Sequence, residues 1–266
     1  MRLPSSPRCV ITGAGSGFGR ALALELSKRG AHLFLADIDE ASASETARMA
    51  LAAGAKHATV ARCDVTKIED VQALAALADG GVDLVVNNAG VSSGGAIGES
   101  PLEDWRWTIE IDLFGVIHGC HVFVPILRKQ GRGHVLNVAS AAGLLCAPTM
   151  GAYNVAKAGV VALSETLAGE LSGTNVGVTV LCPTFFRTNI ASSGRFPDSK
   201  TKERAEGLVA HGKDAASIAR AALQSVEQGE LYSIPMADGR WFWRLKRLSP
   251  TSFGTLAGMI ARRIKP

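Results

Sequence analysis

The sequence predicts a single α/β domain, a doubly wound parallel sheet, followed by a basic amphipathic C-terminal tail. Short β-branched runs alternate with segments of helical periodicity from Arg8 to about Pro235, the pattern of repeated βαβ units with right-handed crossovers. The first run, RCVIT, stops at a glycine-dense turn, TGAGSGFG, before the helical RALALELSKRG. At 266 residues, with 47% hydrophobic residues and 29 glycines, there is material for one large core and several glycine-dependent turns.

Strand, glycine turn and helix stand in the order that binds phosphate, because glycines admit a pyrophosphate to the backbone and the helix start offers unpaired N–H groups. A GxGxxG reading from Gly13 and Gly15 puts Phe18 where the third glycine belongs, whereas Gly13, Gly17 and Gly19 fit TGxxxGxG, with Ser16 and Phe18 inside the turn. The second strand, AHLFLAD, ends at Asp37, 18 residues beyond Gly19. A carboxylate there accepts hydrogen bonds from the adenosine ribose and repels a 2′-phosphate. Ser16 is neutral and neither Arg nor Lys immediately follows Asp37, so NAD is expected in preference to NADP. The plainer reading of Asp37 is a cap for the helix starting near Asp39.

A helix over about 38–53, a strand ending at Asp64, a helix over 67–78 and the strand VDLVVN continue the alternation. Asp64 and Val65 fall where an adenine could rest. The fourth strand closes with Asn87, Asn88, Ala89 and Gly90, whose amides can tie strand ends together while Gly90 admits the cofactor. One long helix is expected over 101–128; its apolar residues, among them Trp105, Trp107, Ile111, Phe114 and Ile117, exceed one core-facing stripe and suggest burial against a second subunit. A strand over 134–138 leads to Ser140, a helix spans 150–171, and VGVTVLCP ends at Pro183. The Ser-, Gly- and charge-rich stretch at about 188–212 reads as a mobile lid over the substrate. A helix over 214–227 and the strand ELYSIP complete the domain.

Tyr153 and Lys157 are four apart on the expected helix and leave the same face. A tyrosine in water has a pKa of about 10, and a fixed cation nearby favours its phenolate, making it a proton carrier. Ser140, at a strand end, could bind the oxygen that the tyrosine protonates. The plainer reading of YxxxK alone is a surface pair on an ordinary helix. Leu144, Leu145, Met150, Phe185 and Phe186 supply apolar pocket walls, with only Arg187 or Arg195 placed to meet a substrate carboxylate.

TGAGSGFG, NNAG, Ser140 and YNVAK, in this order and at these intervals, resemble the short-chain dehydrogenase/reductase family over about residues 8–235. The resemblance implies a Rossmann-type sheet, usually seven-stranded, and hydride transfer between nicotinamide and a carbinol or carbonyl carbon. It makes Tyr153 the general acid/base and has Lys157 lower its pKa and hold the nicotinamide ribose. Ser140 then orients the substrate oxygen, Thr188 meets the carboxamide beside Pro183, and a homodimer or homotetramer is expected. Two positions depart from the family pattern. DLFG puts Asp112 where an asparagine of NxxG is usual, replacing two N–H donors with a charge; it is expected either to hold the water that links Lys157 to solvent or to be a helix residue held by neighbouring backbone. Thr184 replaces the usual glycine after Pro183 and could narrow the nicotinamide side of the pocket.

The net charge of +4 is unevenly placed: residues 237–266 carry seven cations against Asp238 alone, which leaves the body slightly acidic and argues against a nucleic-acid groove. Five cysteines without CxxC spacing indicate neither disulfides nor zinc, and His118 and His121 lack ligand partners, so no metal site is expected. No signal peptide and no stretch of about 18 apolar residues is read, giving a cytoplasmic expectation. Residues 1–235 thus form the dinucleotide-binding and catalytic domain. In the 236–266 extension, Trp241, Leu245 and Leu248 share a helical stripe beside Arg and Lys, a composition suited either to peripheral membrane contact or to packing on protein. The expected activity is an NAD-dependent dehydrogenase of a hydrophobic secondary alcohol, steroid-, terpenoid- or aromatic-carbinol-like. The alternatives are a 3-oxoacyl thioester reductase or a non-catalytic dinucleotide-binding sensor or assembly protein.

Overall fold

The computed structural model describes residues 3–264; Lys265, one of the tail cations, lies outside them. Seven parallel strands, β1 (Arg8–Thr12), β2 (His32–Asp37), β3 (His57–Arg62), β4 (Leu84–Asn87), β5 (Gly133–Val138), β6 (Val176–Leu181) and β7 (Tyr232–Ser233), form one sheet in the order β3-β2-β1-β4-β5-β6-β7. The central strands are buried on both faces, as a parallel sheet covered by helices requires. Alternate residues serve opposite cores: Val10 joins Phe34, Val116 and Val160 on one face, while Cys9 and Ile11 join Leu22, Leu35 and Ile218 on the other.

The second of these faces is covered by α1 (Gly17–Ser27), α2 (Glu40–Ala52) and α9 (Ala215–Gln228), the first by α3 (Ile68–Leu77), α5 (Gly115–Gln130) and α7 (Gly151–Glu170). Strand order reverses between β1 and β4, so a crevice opens at their carboxyl ends, where ligands bind in doubly wound sheets. Short α4 (Leu102–Ile109) precedes α5, α6 (Ala141–Leu145) follows β5, and α8 (Ser199–Ala210) lies within the expected lid. The tail folds as α10 (Ala237–Leu248) and α11 (Pro250–Ile264).

Three expectations need correction. The long helix of 101–128 is interrupted by a π turn, Glu110–Phe114, between α4 and α5. That 29-residue run, Leu102–Gln130, is also long and apolar enough by composition to cross a membrane, contrary to the reading that no such stretch exists; continuous runs of apolar residues miss it because charged residues interrupt them. In the fold, Val116, Phe123, Val124 and Leu127 of α5 pack into the sheet core. The seventh strand is shorter than ELYSIP suggests, because only Tyr232 and Ser233 find ladder partners, Val180 and Leu181 of β6.

Candidate active site

The glycine turn is built by close approach. Gly13 adopts φ 63°, and a Cβ there would stand 2.7 Å from the Ala89 Cα. A Cβ on Gly19 would lie 2.2 Å from the Gly13 carbonyl, so Gly19 lets α1 press against the turn and is not part of the cavity wall. The Asn88 amide braces the same turn, donating to the Thr12 and Gly13 carbonyls at 2.7 and 3.0 Å, while Thr12 Oγ1 accepts from the N–H groups of Asn88 and Ala89 at 3.0 and 3.1 Å.

Asp37 ends β2 against this turn. Its Oδ2 accepts the Gly15 N–H at 2.7 Å and its Oδ1 accepts the Asp39 N–H at 3.0 Å. The α2 cap is Asp39, which accepts from Ser42 N at 3.1 Å; Asp37 is thus not that cap. Each Asp37 oxygen keeps a lone pair for a hydroxyl donor.

Ser140 follows β5 and caps α6, its Oγ accepting from Ala142 N at 3.1 Å. Its hydroxyl also helps to lower the pKa of the Tyr153 phenol. The intervening loop contains two non-glycine residues in the left-handed region, Cys146 at φ 55° and Thr149 at φ 65°, a conformation that surrounding contacts must impose. Asn154 Nδ2 holds the Ala147 carbonyl at 2.7 Å, and the Gly95 N–H holds that of Thr149 at 2.7 Å. A Cβ on Gly143 would lie 2.5 Å from the Lys157 carbonyl carbon, so α6 rests directly on the backbone of α7 at that lysine.

Tyr153 and Lys157 do share a face of α7, but both are buried, as is Asp112. Lys157 Nζ donates to the Val138 carbonyl at 3.1 Å, lies 3.3 Å from Asp112 Oδ2 and stands 5.7 Å from the Tyr153 ring centroid. Asp112 Oδ1 accepts the Val91 N–H at 2.7 Å. Asp112 is thus held by neighbouring backbone and, in addition, is aimed inward by the π turn to pair with the lysine behind the cavity wall. A Cβ on Gly90 would come within 3.2 Å of Asp112 Oδ1 and 3.3 Å of Lys157 Nζ, so glycine is what lets the pair sit there.

Lys157 does lower the Tyr153 phenol's pKa, as expected, but other groups outweigh it. Burial pushes the Tyr153 phenol up, Lys157 pulls it down, Asp112 pushes it up again, and the balance lies above the ordinary tyrosine value. Burial alone would depress the Lys157 ammonium, yet Asp112 and Tyr153 hold it above its usual range. Burial likewise raises Asp112 against the opposing pull of Lys157. Lys157 thus divides its influence between a phenol and a carboxylate.

A cavity of about 580 Å³ joins these parts. Gly13, Ser16, Gly17, Phe18, Asp37, Asp64, Val65, Asn88, Ala89 and Gly90 line one end; Ser140, Leu145, Met150, Tyr153, Lys157, Pro183, Phe185, Phe186 and Thr188 line the other. Leu144 does not: it is buried in the core, and its carbonyl accepts from Lys246 of α10 at 2.7 Å. Sequence reasoning missed Ile38, Ile111, Ile190, Phe196 and Val209, which also line the cavity; of these Ile38, the residue after Asp37, carried the one sequence signal that could have found it. Thr184 is at the wall, but its hydroxyl faces the Asp238 carboxylate of α10 at 3.3 Å. Arg195 is not free for a substrate carboxylate, being paired with Asp104 at 3.1 Å and stacked over Trp107 at 4.2 Å. Arg187 is exposed and outside the cavity wall, so Lys157 is the one cationic side chain in that wall among the described residues.

The segment expected to act as a lid lies across the cavity: Ser92 Oγ donates to the Ile190 carbonyl at 2.7 Å, and Ala205 and Val209 of α8 reach the wall. His118 Nδ1 contacts the Val65 carbonyl at 2.9 Å, and no group of three or more metal-binding side chains occurs among the described residues.

The family model for short chain dehydrogenase matches residues 8–196. A short chain dehydrogenase/reductase of Burkholderia phymatum, solved in complex with NAD, superposes with a TM-score of 0.87 at 37% identity over 92% of this chain and 94% of that one. D-beta-hydroxybutyrate dehydrogenase of Rhizobium meliloti is 36% identical over 71% of this chain and 74% of its own. A CLA biosynthesis dehydrogenase/reductase of Lactiplantibacillus plantarum is 31% identical over 84% and 85%, respectively.

Proposed function

This chain belongs to the short-chain dehydrogenase/reductase family, and on that premise we propose that it oxidises a hydrophobic secondary alcohol, or reduces the matching ketone, with NAD(H) in preference to NADP(H). The observation that carries this reading is the shared cavity, in which Ser140, Tyr153 and Lys157 stand at one end and the glycine turn with Asp37 at the other.

The residues present fit a dinucleotide. Gly17 has φ 51°, and a Cβ on it would stand 3.3 Å from Thr188 across the cavity, so the glycine keeps open the space a pyrophosphate would occupy. The Asp37 oxygens, next to that turn, favour ribose hydroxyls and repel a 2′-phosphate. When bound, the nicotinamide supplies the hydride acceptor or donor and, in its oxidised form, a positive ring charge.

The chain's own residues handle the proton. Ser140 Oγ donates to the substrate oxygen or the phenol and fixes which hydroxyl faces Tyr153. In alcohol oxidation the Tyr153 phenolate takes the hydroxyl proton; in reduction the phenol returns it. Lys157 stabilises the phenolate from behind, held by Val138 and Asp112. A lining with Lys157 as its one cation supports an apolar substrate over a carboxylate such as hydroxybutyrate. The intact proton carrier counts against a silent sensor, and Asp37 against an NADPH-linked thioester reductase.

A homodimer or homotetramer is part of the same proposal. Leu102 is 66% exposed, Phe114 41% and Val155 50%, an apolar load on α4, the π turn and α7 that a second copy would cover. Tyr153→Phe is expected to lower turnover by about a thousandfold or more while NADH still binds, measured by fluorescence titration and by absorbance of the reduced nicotinamide across apolar alcohols and ketones. Undiminished turnover would remove Tyr153 from the reaction, and equal efficiency with NADP would remove the role given to Asp37.

A further inference from the structure

We propose that the outer face of the α10–α11 hairpin docks on an anionic lipid bilayer, with Trp241 and Leu248 entering the interface and Arg244 between them meeting lipid phosphates. α10 packs on the body through the side that carries Gly239 and Trp243: Gly239 is buried, Trp243 lies 4.9 Å from the Tyr232 ring, Arg240 donates to the Ile234 carbonyl at 2.7 Å, and Lys246 donates to the Leu144 carbonyl. Residues 241, 244 and 248 recur at helical spacing on the opposite side. There Trp241 is 60% exposed, Leu248 is 84% exposed, and Arg244 is exposed between them. Two members of the apolar stripe, Trp241 and Leu248, therefore face outward, while Leu245 is half-buried. Phe242 meets Trp241 at 5.0 Å and Phe253 of α11 at 6.4 Å, closing the hairpin and leaving Leu256 and Met259 exposed as well.

Charge selects the occupant. Residues 237–266 carry seven cations and one carboxylate, on a chain whose remainder is slightly acidic. A second copy meeting this face through its own tail would set like charges against each other, whereas an anionic bilayer neutralises them and takes up the tryptophan and leucine. The hairpin is fastened to two segments that flank the reacting end of the cavity, to the stretch after β6 through Thr184 with Asp238 and to α6 through Leu144 with Lys246. Docking would thus hold that end of the cavity close to the source of an apolar substrate, whichever alcohol that is.

The test is co-sedimentation of the full-length protein with vesicles of phosphatidylcholine alone and of phosphatidylcholine with an equal part of phosphatidylglycerol. Binding is expected to the anionic vesicles only and to fall at high salt. Trp241→Glu/Leu248→Glu and Arg244→Glu should each weaken it at least about tenfold, with turnover of a water-soluble alcohol and the melting temperature unchanged. Failure of the wild-type protein to bind, or equal binding to neutral vesicles, overturns the proposal. So does a fall in the lipid-free oligomeric mass of Trp241→Glu/Leu248→Glu by light scattering, which would assign the face to a second copy.

Discussion

At the start of β5, His134 is fully buried, and its Nε2 donates to Thr179 Oγ1 at 2.8 Å, since that hydroxyl gives its own hydrogen to the Glu230 carbonyl. Its Nδ1 faces no hydrogen-bond partner among the described residues, and burial presses the imidazole down to a pKa of about 4. At the other end of the same strand the Val138 carbonyl holds Lys157, which meets Asp112, and the lysine stays charged although it is equally dry. Burial has neutralised the ionisable group at one end and has been resisted by pairing at the other. A charge kept in the interior needs a partner, and here the pair lies directly behind Tyr153, the proposed proton carrier.

Breaking the pair gives the largest effect. Lys157→Met leaves the Asp112 carboxylate dry and alone, so it is expected to cost about 3–5 kcal/mol in urea unfolding as well as most of the turnover. Lys157→Met/Asp112→Leu should recover much of that stability and none of the activity, since it removes the stranded charge but not the need for a cation behind Tyr153. Equal instability of both variants would mean that packing, not charge, dominates this end of the strand.

The histidine end predicts a pH effect of opposite character. Below about pH 6.5 the unfolded chain takes up a proton on His134, while the folded chain does so only near pH 4. A depressed folded pKa in a base means stability present above the unfolded value and lost as pH falls through that window, about 3 kcal/mol in all. His134→Gln keeps a donor for Thr179 without a titrating ring. Its urea midpoints at pH 7 and pH 4.5 should differ less than those of the wild type, and parallel losses would show that other groups set the acid limit.

Much of the proton-handling end was legible because it is local. Tyr153 and Lys157 are one turn apart on α7, Ser140 ends a strand, and the glycine turn is contiguous. What escaped the sequence depends on distant contacts or on local backbone irregularity. Asp112 points inward only because of the π turn, which no residue pattern announces. Asn137 of β5 accepts from Asn87 Nδ2 at 2.8 Å and donates to Ser164 Oγ at 3.0 Å, a buried tie visible only once β4, β5 and α7 are adjacent. Leu144 looked like pocket wall from its neighbours, but α6 turns it into the core. The tail stripe read correctly as apolar, yet its direction was set by Gly239 and Trp243, which let α10 approach the body with its other side.

The smallest effect is the most informative about the paired end. In the wild type the Asp112 carboxylate opposes Lys157 and holds the phenol up, while burial pushes the Cys182 thiol, which also acts on the lysine, up to about 12, so it stays neutral. Asp112→Asn removes that opposing charge but keeps an oxygen for the Val91 N–H. Lys157 then acts undivided on Tyr153, so the phenolate forms at lower pH. Alcohol oxidation, which needs the phenolate, should gain several-fold in kcat/KM below the wild-type midpoint and change little on the alkaline plateau. Ketone reduction, which needs the phenol, should begin to fall at correspondingly lower pH. A midpoint that stays in place while the plateau drops would instead assign Asp112 to holding Val91 and the cavity floor, and the departure from asparagine at this position would then concern shape and not charge.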